Sequence, residues 1–176
     1  MDAPVVRPRL AAPGLAAPGS VNLPDATETD AGVRMAALLG RATRLADLRA
    51  ALDAVTLEEV ADAARFSREG YARVLLARSE GAEILILGWL PGQRSLVHDH
   101  GVSHGFVKVL AGEGVDDSFA LEGGRAVLVE RTGFEAGALL EERPDQVHRV
   151  ANAGSNVLIT LHAYAPCLRG ARTYDE

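Results

Sequence analysis

The stretch His98-Asp99-His100-Gly101-Val102-Ser103-His104-Gly105 decides how this chain folds and what it holds. It lies between two apolar stretches that are typical of β-strands. Because side chains alternate along a strand, His98 and His100 point to the same face. With His148 about fifty residues later, the sequence predicts three imidazole ligands for a metal ion whose coordination sphere stays open.

Length and composition are those of one soluble globular domain. The 176 residues are 48% hydrophobic and 24% charged, with a net charge of −6. No basic cluster offers a phosphate-binding face, so we expect no nucleic-acid partner. The apolar run 84–90 is too short to cross a membrane, and the N-terminus lacks the pattern of a secretion signal. A single cysteine, Cys167, fits a reducing compartment, and we expect a cytoplasmic monomer.

The N-terminal part of the chain changes character near residue 30. Residues 1–30 hold five of the eight prolines and predict a flexible tail rich in Pro, Ala and Gly. Residues 31–66 carry an apolar stripe at helical spacing, which predicts a helical cover over a sheet. Within it, Thr56 and Glu59 form a capping-box pattern that predicts a further helix over 57–64.

From Tyr71 onward the sequence predicts many short strands separated by turn residues. This spacing is typical of a β-barrel or sandwich. Residues 31–176 are therefore predicted to form one domain, with the barrel over 71–166. The strands are expected at 71–78, 83–90, 95–100, 105–111, 115–121, 125–132, 137–141, 147–151 and 156–164.

Two further groups of polar residues lie on predicted strands. Thr160, His162 and Tyr164 alternate along one strand, so all three face the same way. They form either a hydrogen-bond ladder in the core or a relay that orients the Tyr164 phenol. Arg73 is in phase with Tyr71 on the first strand, where it is either a surface residue or an anion-binding group.

The spacing of the histidine motifs resembles that of the cupin superfamily. Those proteins are double-stranded β-helix (jelly-roll) barrels with a metal at the centre. Many cupins carry a glutamate ligand where this chain has Gly105, so the resemblance implies a first shell of three histidines. Imidazole suits several metals, and a three-histidine zinc site remains an alternative from ligand type alone.

Within the cupins, the stretch from Tyr71 to Pro166 resembles the cysteine dioxygenases, or thiol dioxygenases more widely. The resemblance implies a mononuclear non-haem Fe(II) site that converts L-cysteine and O2 to cysteine sulfinic acid. The matching segments are Tyr71-Ala-Arg73, Gly88-Trp89, His98 to Gly105, His148-Arg-Val-Ala-Asn152 and Thr160-Leu-His-Ala-Tyr164-Ala-Pro166.

The resemblance also implies roles for the other polar residues. Arg73, with Tyr71, would bind the substrate carboxylate. Thr160 would orient His162, which would orient Tyr164 toward the iron. Animal members crosslink a cysteine to this tyrosine, but that cysteine position is Gly105 here, as in bacterial members, so the crosslink cannot form.

Further expectations concern His104, Asp99, the Ala165–Pro166 bond and Cys167. His104 is expected to be a polar residue near the pocket rather than a ligand, and Asp99 a structural hydrogen-bonder. The resemblance implies that the Ala165–Pro166 bond is cis, and Cys167 is expected to be a small buried or rim residue.

Three other functions remain open at this point. One is a dioxygenase for another small thiol, such as 3-mercaptopropionate. Another is a non-catalytic metal-binding cupin that senses a small molecule. The third is a zinc or manganese isomerase or hydrolase on the same barrel.

Overall fold

The computed structural model describes residues 19–42 and 44–176. The fold is mainly β, with three helices near the N-terminus, which confirms the predicted fold class. In chain order the elements are β1 (Ser20–Asn22), α1 (Asp30–Arg41), α2 (Leu45–Asp53), α3 (Leu57–Val60), β2 (Tyr71–Arg78), β3 (Glu83–Trp89), β4 (Val97–His98), β5 (His104–Ala111), β6 (Glu113–Glu122), β7 (Arg125–Glu135), β8 (Leu139–Glu142), β9 (His148–Ala151), β10 (Leu158–Ala165) and β11 (Thr173–Tyr174).

The helices begin where capping side chains satisfy free backbone N–H groups. The Thr29 hydroxyl accepts a hydrogen bond from the Gly32 N–H at the start of α1. The predicted capping box of Thr56 and Glu59 is present at α3. That helix ends at Val60 and continues as a short 3₁₀ turn, so it is shorter than the sequence predicts. No helix in the described ranges is long and apolar enough to cross a membrane.

The segment predicted as a flexible tail is partly strand. Residues 1–18 lie outside the described residues, but β1 pairs in parallel with β2, with Ser20 opposite Tyr71. The N–H groups of Leu23 and Ala26 then donate to carbonyl oxygens of β2. The chain from 20 to 26 is therefore hydrogen-bonded along the edge of a sheet.

The strands form two sheets. One sheet has six strands in the order β1-β2-β3-β10-β5-β8, and the other has five in the order β11-β4-β9-β6-β7. The three helices pack on the outer face of the six-stranded sheet. The opposite face of that sheet turns toward the interior, where the candidate site lies.

Strand β10 is buried on both faces, and this decides where its polar residues go. Leu161 and Ala163 pack with the helices in one core cluster. The alternate residues Thr160, His162 and Tyr164 point inward, and all three are buried. The predicted alternation is thus observed, with the polar face of the strand enclosed.

Candidate metal centre

The three histidines predicted as ligands lie together. His98 on β4 is directly opposite His148 on β9, and His100 follows two residues after His98. One ligand nitrogen from each of the three lies within 4.8 Å of the others. The Nε2 atoms of His100 and His148 are 3.1 Å apart. The structure therefore brings together a set that could hold one metal ion.

Each of these imidazoles has an acceptor behind it, on the side away from the common point. With Nδ1–H donating to that acceptor, the lone pair of each Nε2 is free to bind a metal, as is usual for histidine ligands. The acceptors are the carbonyl oxygens of Leu96 and Arg143 and the carboxylate of Asp116, at 2.9, 3.3 and 2.8 Å from Nδ1 of His98, His100 and His148, respectively.

The protonation of the histidines follows from their surroundings. Burial, together with the neighbouring imidazoles, lowers the pKa of His98 well below its usual range. Burial also lowers the pKa of His100. At His148 burial is again the largest single cause and acts in the same direction, but the hydrogen bond to Asp116 and the charges of Glu142 and Asp116 together outweigh it and raise the pKa. Neutral His98 and His100, and a His148 supported by a carboxylate, are the forms suited to metal binding.

A buried carboxylate that the sequence did not reveal faces the same point. Glu142 on β8 is 2% exposed, and its Oε2 lies 3.3 Å from Nε2 of His100. Its Oε1 lies 3.7 Å from Nε2 of His148. Burial opposes ionisation, but the neighbouring histidines, His100 first, lower the pKa of Glu142 to about 2. Oε2 has no hydrogen-bond partner among the described residues, and together with the converging Nε2 atoms it fits a cation.

Gly105 lies between Glu142 and the candidate catalytic tyrosine. Glu142 is opposite Gly105 on one side, and Tyr164 is opposite it on the other. A Cβ atom at Gly105 would lie 2.7 Å from Cε1 of Tyr164 and 2.9 Å from Oε2 of Glu142. Because Gly105 has no side chain, the side chains of Glu142 and Tyr164 can both occupy the space beside it.

The predicted relay along β10 is connected by hydrogen bonds. His162 Nε2 lies 2.9 Å from the Thr160 hydroxyl, and His162 Nδ1 lies 3.0 Å from the Tyr164 hydroxyl. Trp89 Nε1 donates to Thr160 Oγ1 at 3.0 Å, a contact that sequence reasoning missed. Burial lowers the pKa of His162 to about 4, so this imidazole is neutral. Burial, and then the Glu142 carboxylate, raise the pKa of Tyr164 well above its usual value.

Arg73 and Tyr71 line a cavity next to the histidines, as the sequence predicts for substrate-binding residues. The same cavity is lined by His98, Glu142, His162 and Tyr164, among others. The Nε of Arg73 is buried and has no hydrogen-bond partner within the described part of the chain. Tyr71 stacks on Trp89, with ring centroids 3.9 Å apart, which fixes the wall beside Arg73.

Asp99 and His104, two further polar residues of the motif, are bonded away from the histidine cluster. His104 Nε2 pairs with Glu141 at 2.7 Å and is not part of the cluster. Asp99 accepts hydrogen bonds from Gly101, Arg172 and Tyr174, so its structural role is confirmed.

Near the end of β10, Pro166 and Cys167 have the conformation and the burial that were expected. The Ala165–Pro166 bond is cis. Cys167 is buried, and its thiol donates to the carbonyl oxygen of Ser79 at 3.6 Å.

Comparison with protein families gives a match over most of the chain. The family model described as "Cysteine dioxygenase type I" matches residues 25–176. Cysteine dioxygenase type 1 of Danio rerio is 29% identical over 120 residues, which cover 64% of this chain and 60% of that protein. The protein of that name from Homo sapiens is 29% identical over 119 residues, with the same coverage. The match thus spans 60% of the length of these curated relatives.

Solved structures agree with the fold. A Klebsiella pneumoniae protein with a double-stranded β-helix domain gives a TM-score of 0.53 at 22% identity, covering 66% of this chain and 95% of that one. TT1209 from Thermus thermophilus also gives 0.53, at 24% identity, covering 61% and 94%. The double-stranded β-helix predicted from the sequence is thereby confirmed.

Proposed function

Because the chain belongs to the cysteine dioxygenase type I family, we propose that it oxidises L-cysteine with O2 to cysteine sulfinic acid. In this proposal Fe(II) is the cofactor, and His98, His100 and His148 hold it. The observation that carries the proposal is the cavity lined by Arg73, His98 and Tyr164, which lies beside the cluster of His98, His100 and His148.

The metal and the protein divide the chemistry between them. Bound Fe(II) supplies the coordination of thiolate and O2 and the electron transfer between them. The histidines would bind the ion as neutral ligands. The acceptors that bind their Nδ1–H groups fix the orientation of the rings. The protein's own residues would position the substrate and direct a hydrogen-bond donor toward the reacting atoms.

Arg73 is suited to bind the substrate carboxylate. A buried guanidinium N–H without a partner is costly, and a carboxylate in the cavity would satisfy it by a charge-assisted hydrogen bond. Tyr71, held against Trp89, closes the cavity beside Arg73. Anchoring the carboxylate in this way would hold the thiol toward the histidines, which favours reaction by proximity.

We assign the relay along β10 the direction in which the Thr160 O–H has an acceptor within the relay. The indole N–H of Trp89 can only donate, so it donates to the Thr160 oxygen. The Thr160 O–H then donates to Nε2 of neutral His162, whose proton is therefore on Nδ1 and points to the Tyr164 oxygen. This leaves the Tyr164 O–H to donate within the cavity, where Glu142 is an acceptor beside it. Tyr164 would thus keep its proton and act as a hydrogen-bond donor to the reacting oxygen atoms.

The proposed reaction is tested with metal-loaded protein and two histidine variants. We expect O2 consumption matched by cysteine sulfinic acid with Fe(II), and none with Zn(II). His148→Ala should lower the rate at least about 100-fold, because it removes a ligand. His104→Ala is the matched control from the same motif and should change the rate little, since its ring pairs with Glu141. Equal rates for the two variants would contradict the ligand assignment.

The choice of thiol is tested separately. Cysteine and 3-mercaptopropionate, the alternative substrate, share a carboxylate that Arg73 can bind, so their kcat/KM values must be compared directly. If 3-mercaptopropionate has the higher value, the chain is a dioxygenase for that thiol. Metal and thiol binding without O2 consumption would instead favour a sensor. The expected cytoplasmic location and monomeric state stay predictions.

A further inference from the structure

We propose that Glu142 is a fourth protein ligand of the metal, supplied by β8 in place of a side chain that β5 lacks at Gly105. Three histidines and one carboxylate would then hold the ion. This inference rests on the histidine site of the proposed function, but it does not depend on the reaction that the site performs.

The distances between the donor atoms suit a single ion. Ligand atoms that each lie about 2.1 Å from one metal are roughly 3.0–3.4 Å apart when they occupy neighbouring positions. The Nε2 atoms of His100 and His148 are 3.1 Å apart. Oε2 of Glu142 is 3.3 Å from the first of these, and Oε1 is 3.7 Å from the second. Oε2 therefore lies at the spacing expected of a ligand beside His100, and Oε1 lies slightly farther from His148 than that spacing.

A hydrogen bond with Tyr164 accounts for part of the position of Glu142, but hydrogen bonds from His100 and His148 do not account for the rest. The Nδ1 atoms of His100 and His148 already have acceptors in Arg143 and Asp116. In a neutral ring that donates through Nδ1, Nε2 carries a lone pair and has no proton to give. Glu142 then faces lone pairs with an Oε2 that has no partner among the described residues. A cation between these atoms removes the conflict.

The position of Glu142 is set by strand register. It is the residue directly opposite Gly105 in the pairing of β8 with β5. Its Oε2 lies only 2.9 Å from the point where a Cβ of residue 105 would be. The carboxylate thus occupies the space of the side chain that residue 105 would otherwise send toward the histidines. A fourth protein ligand also leaves fewer positions for a thiol and O2 than three histidines do.

The inference is tested by metal binding without thiol or O2. The metal-free protein is titrated with Co(II), and affinity and visible spectrum are recorded for wild type, Glu142→Gln, Glu142→Asp and Glu141→Gln. Glu141 is the matched control, because it is the adjacent residue, is 54% exposed and pairs with His104. We expect Glu142→Gln to lower affinity about 10–100-fold and to change the Co(II) spectrum, with no change for Glu141→Gln.

The aspartate variant separates ligation from charge. It keeps the charge but withdraws the oxygen by one methylene, so ligation predicts a spectrum unlike wild type. Wild-type spectra for both Glu142 variants would overturn the proposal, even if affinity falls. An infrared difference spectrum of wild-type protein on Zn(II) addition should also show a displaced carboxylate band, and its absence would overturn the proposal whether or not the variants fold. Neither result depends on O2 uptake, so failure of the proposed reaction is seen separately.

Discussion

At the residue scale, Thr160 sets the direction of the hydrogen-bond chain that ends at Tyr164. Replacing it by valine removes the acceptor for the Trp89 indole and the donor for His162. A buried donor without a partner costs about 1–3 kcal/mol, so Thr160→Val should lower the free energy of unfolding by that amount. Because His162 is then free to change tautomer and Tyr164 loses its orientation, kcat should fall about 100-fold, the lower end of the effect of losing one oriented hydrogen-bond donor. Denaturant unfolding and steady-state kinetics measure the two effects.

Thr160→Ser is the matched control for this change. Serine keeps the hydroxyl between Trp89 and His162 and loses only a methyl group. We expect its kcat to stay close to wild type. If the serine variant is as slow as the valine variant, the methyl group rather than the hydroxyl carries the effect, and the proposed direction of the chain is wrong.

At the scale of elements, three neighbouring strands meet at Gly105. The order β8-β5-β10 places Glu142, Gly105 and Tyr164 in one row across the sheet. Gly105→Ala introduces a Cβ within 3 Å of both neighbouring side chains. Overpacking of this kind costs about 1–3 kcal/mol, and relieving it must move the carboxylate or the phenol. We expect the metal-free variant to unfold at a lower denaturant concentration and the loaded variant to be slower.

Gly133→Ala is the matched control, because it makes the same substitution where there is free space. Gly133 is in β7, where an added Cβ meets nothing within 4 Å. We expect its stability and rate to stay near those of wild type. If Gly105→Ala loses activity but no stability, the added methyl group has displaced a side chain that serves the site and not the packing of the core. Wild-type behaviour of Gly105→Ala would contradict the close packing of this row.

At the scale of the whole molecule, the features that the sequence predicted are those that depend on side chains alternating between the two faces of a strand. Alternation placed Thr160, His162 and Tyr164 on one face, whereas His98 and His100 lie together although the strand ends at His98. The strand pattern from 71 to 166 was otherwise predicted closely, because turn residues interrupt every run, but the strand expected over 95–100 is formed only at Val97–His98. These features depend on residues near one another in the chain.

Pairing between distant segments was not predictable in this way. Glu142 and Asp116 reach the histidines only because β8 pairs with β5 and β6 pairs with β9. The same holds for β1, whose parallel partner begins at Tyr71. Proline-rich sequence favours a free tail locally, but the edge of β2 offers unpaired backbone groups that this segment fills. Register of this kind is set by the closure of the whole barrel.

In the five-stranded sheet, the buried carboxylate of Asp117 links three strands through ion pairs. Its protonation should therefore lower the stability of the molecule at acid pH. Asp117 on β6 accepts hydrogen bonds from Arg131 on β7 and Arg149 on β9, at 2.6 and 2.8 Å. The hydrogen bond from Arg131, followed by that from Arg149, outweighs burial and lowers the pKa of Asp117. A carboxyl group whose pKa is lower in the folded state stabilises that state fully above its unfolded pKa of about 3.9. The stabilisation is lost as the pH falls through the folded value.

Asp117→Asn should therefore change both the level and the slope of stability against pH. Near neutral pH we expect the metal-free variant to lose about 3 kcal/mol in free energy of unfolding, since a buried ion pair is broken. Between about pH 5 and pH 2 the wild type should lose more stability than the variant, because only the wild type has this group to protonate. Urea unfolding across that range measures both effects. Asp145→Asn, at a side chain that is 83% exposed, is the control and should run parallel to wild type. If the curves for Asp117→Asn and wild type are parallel as well, the acid sensitivity arises from another carboxylate.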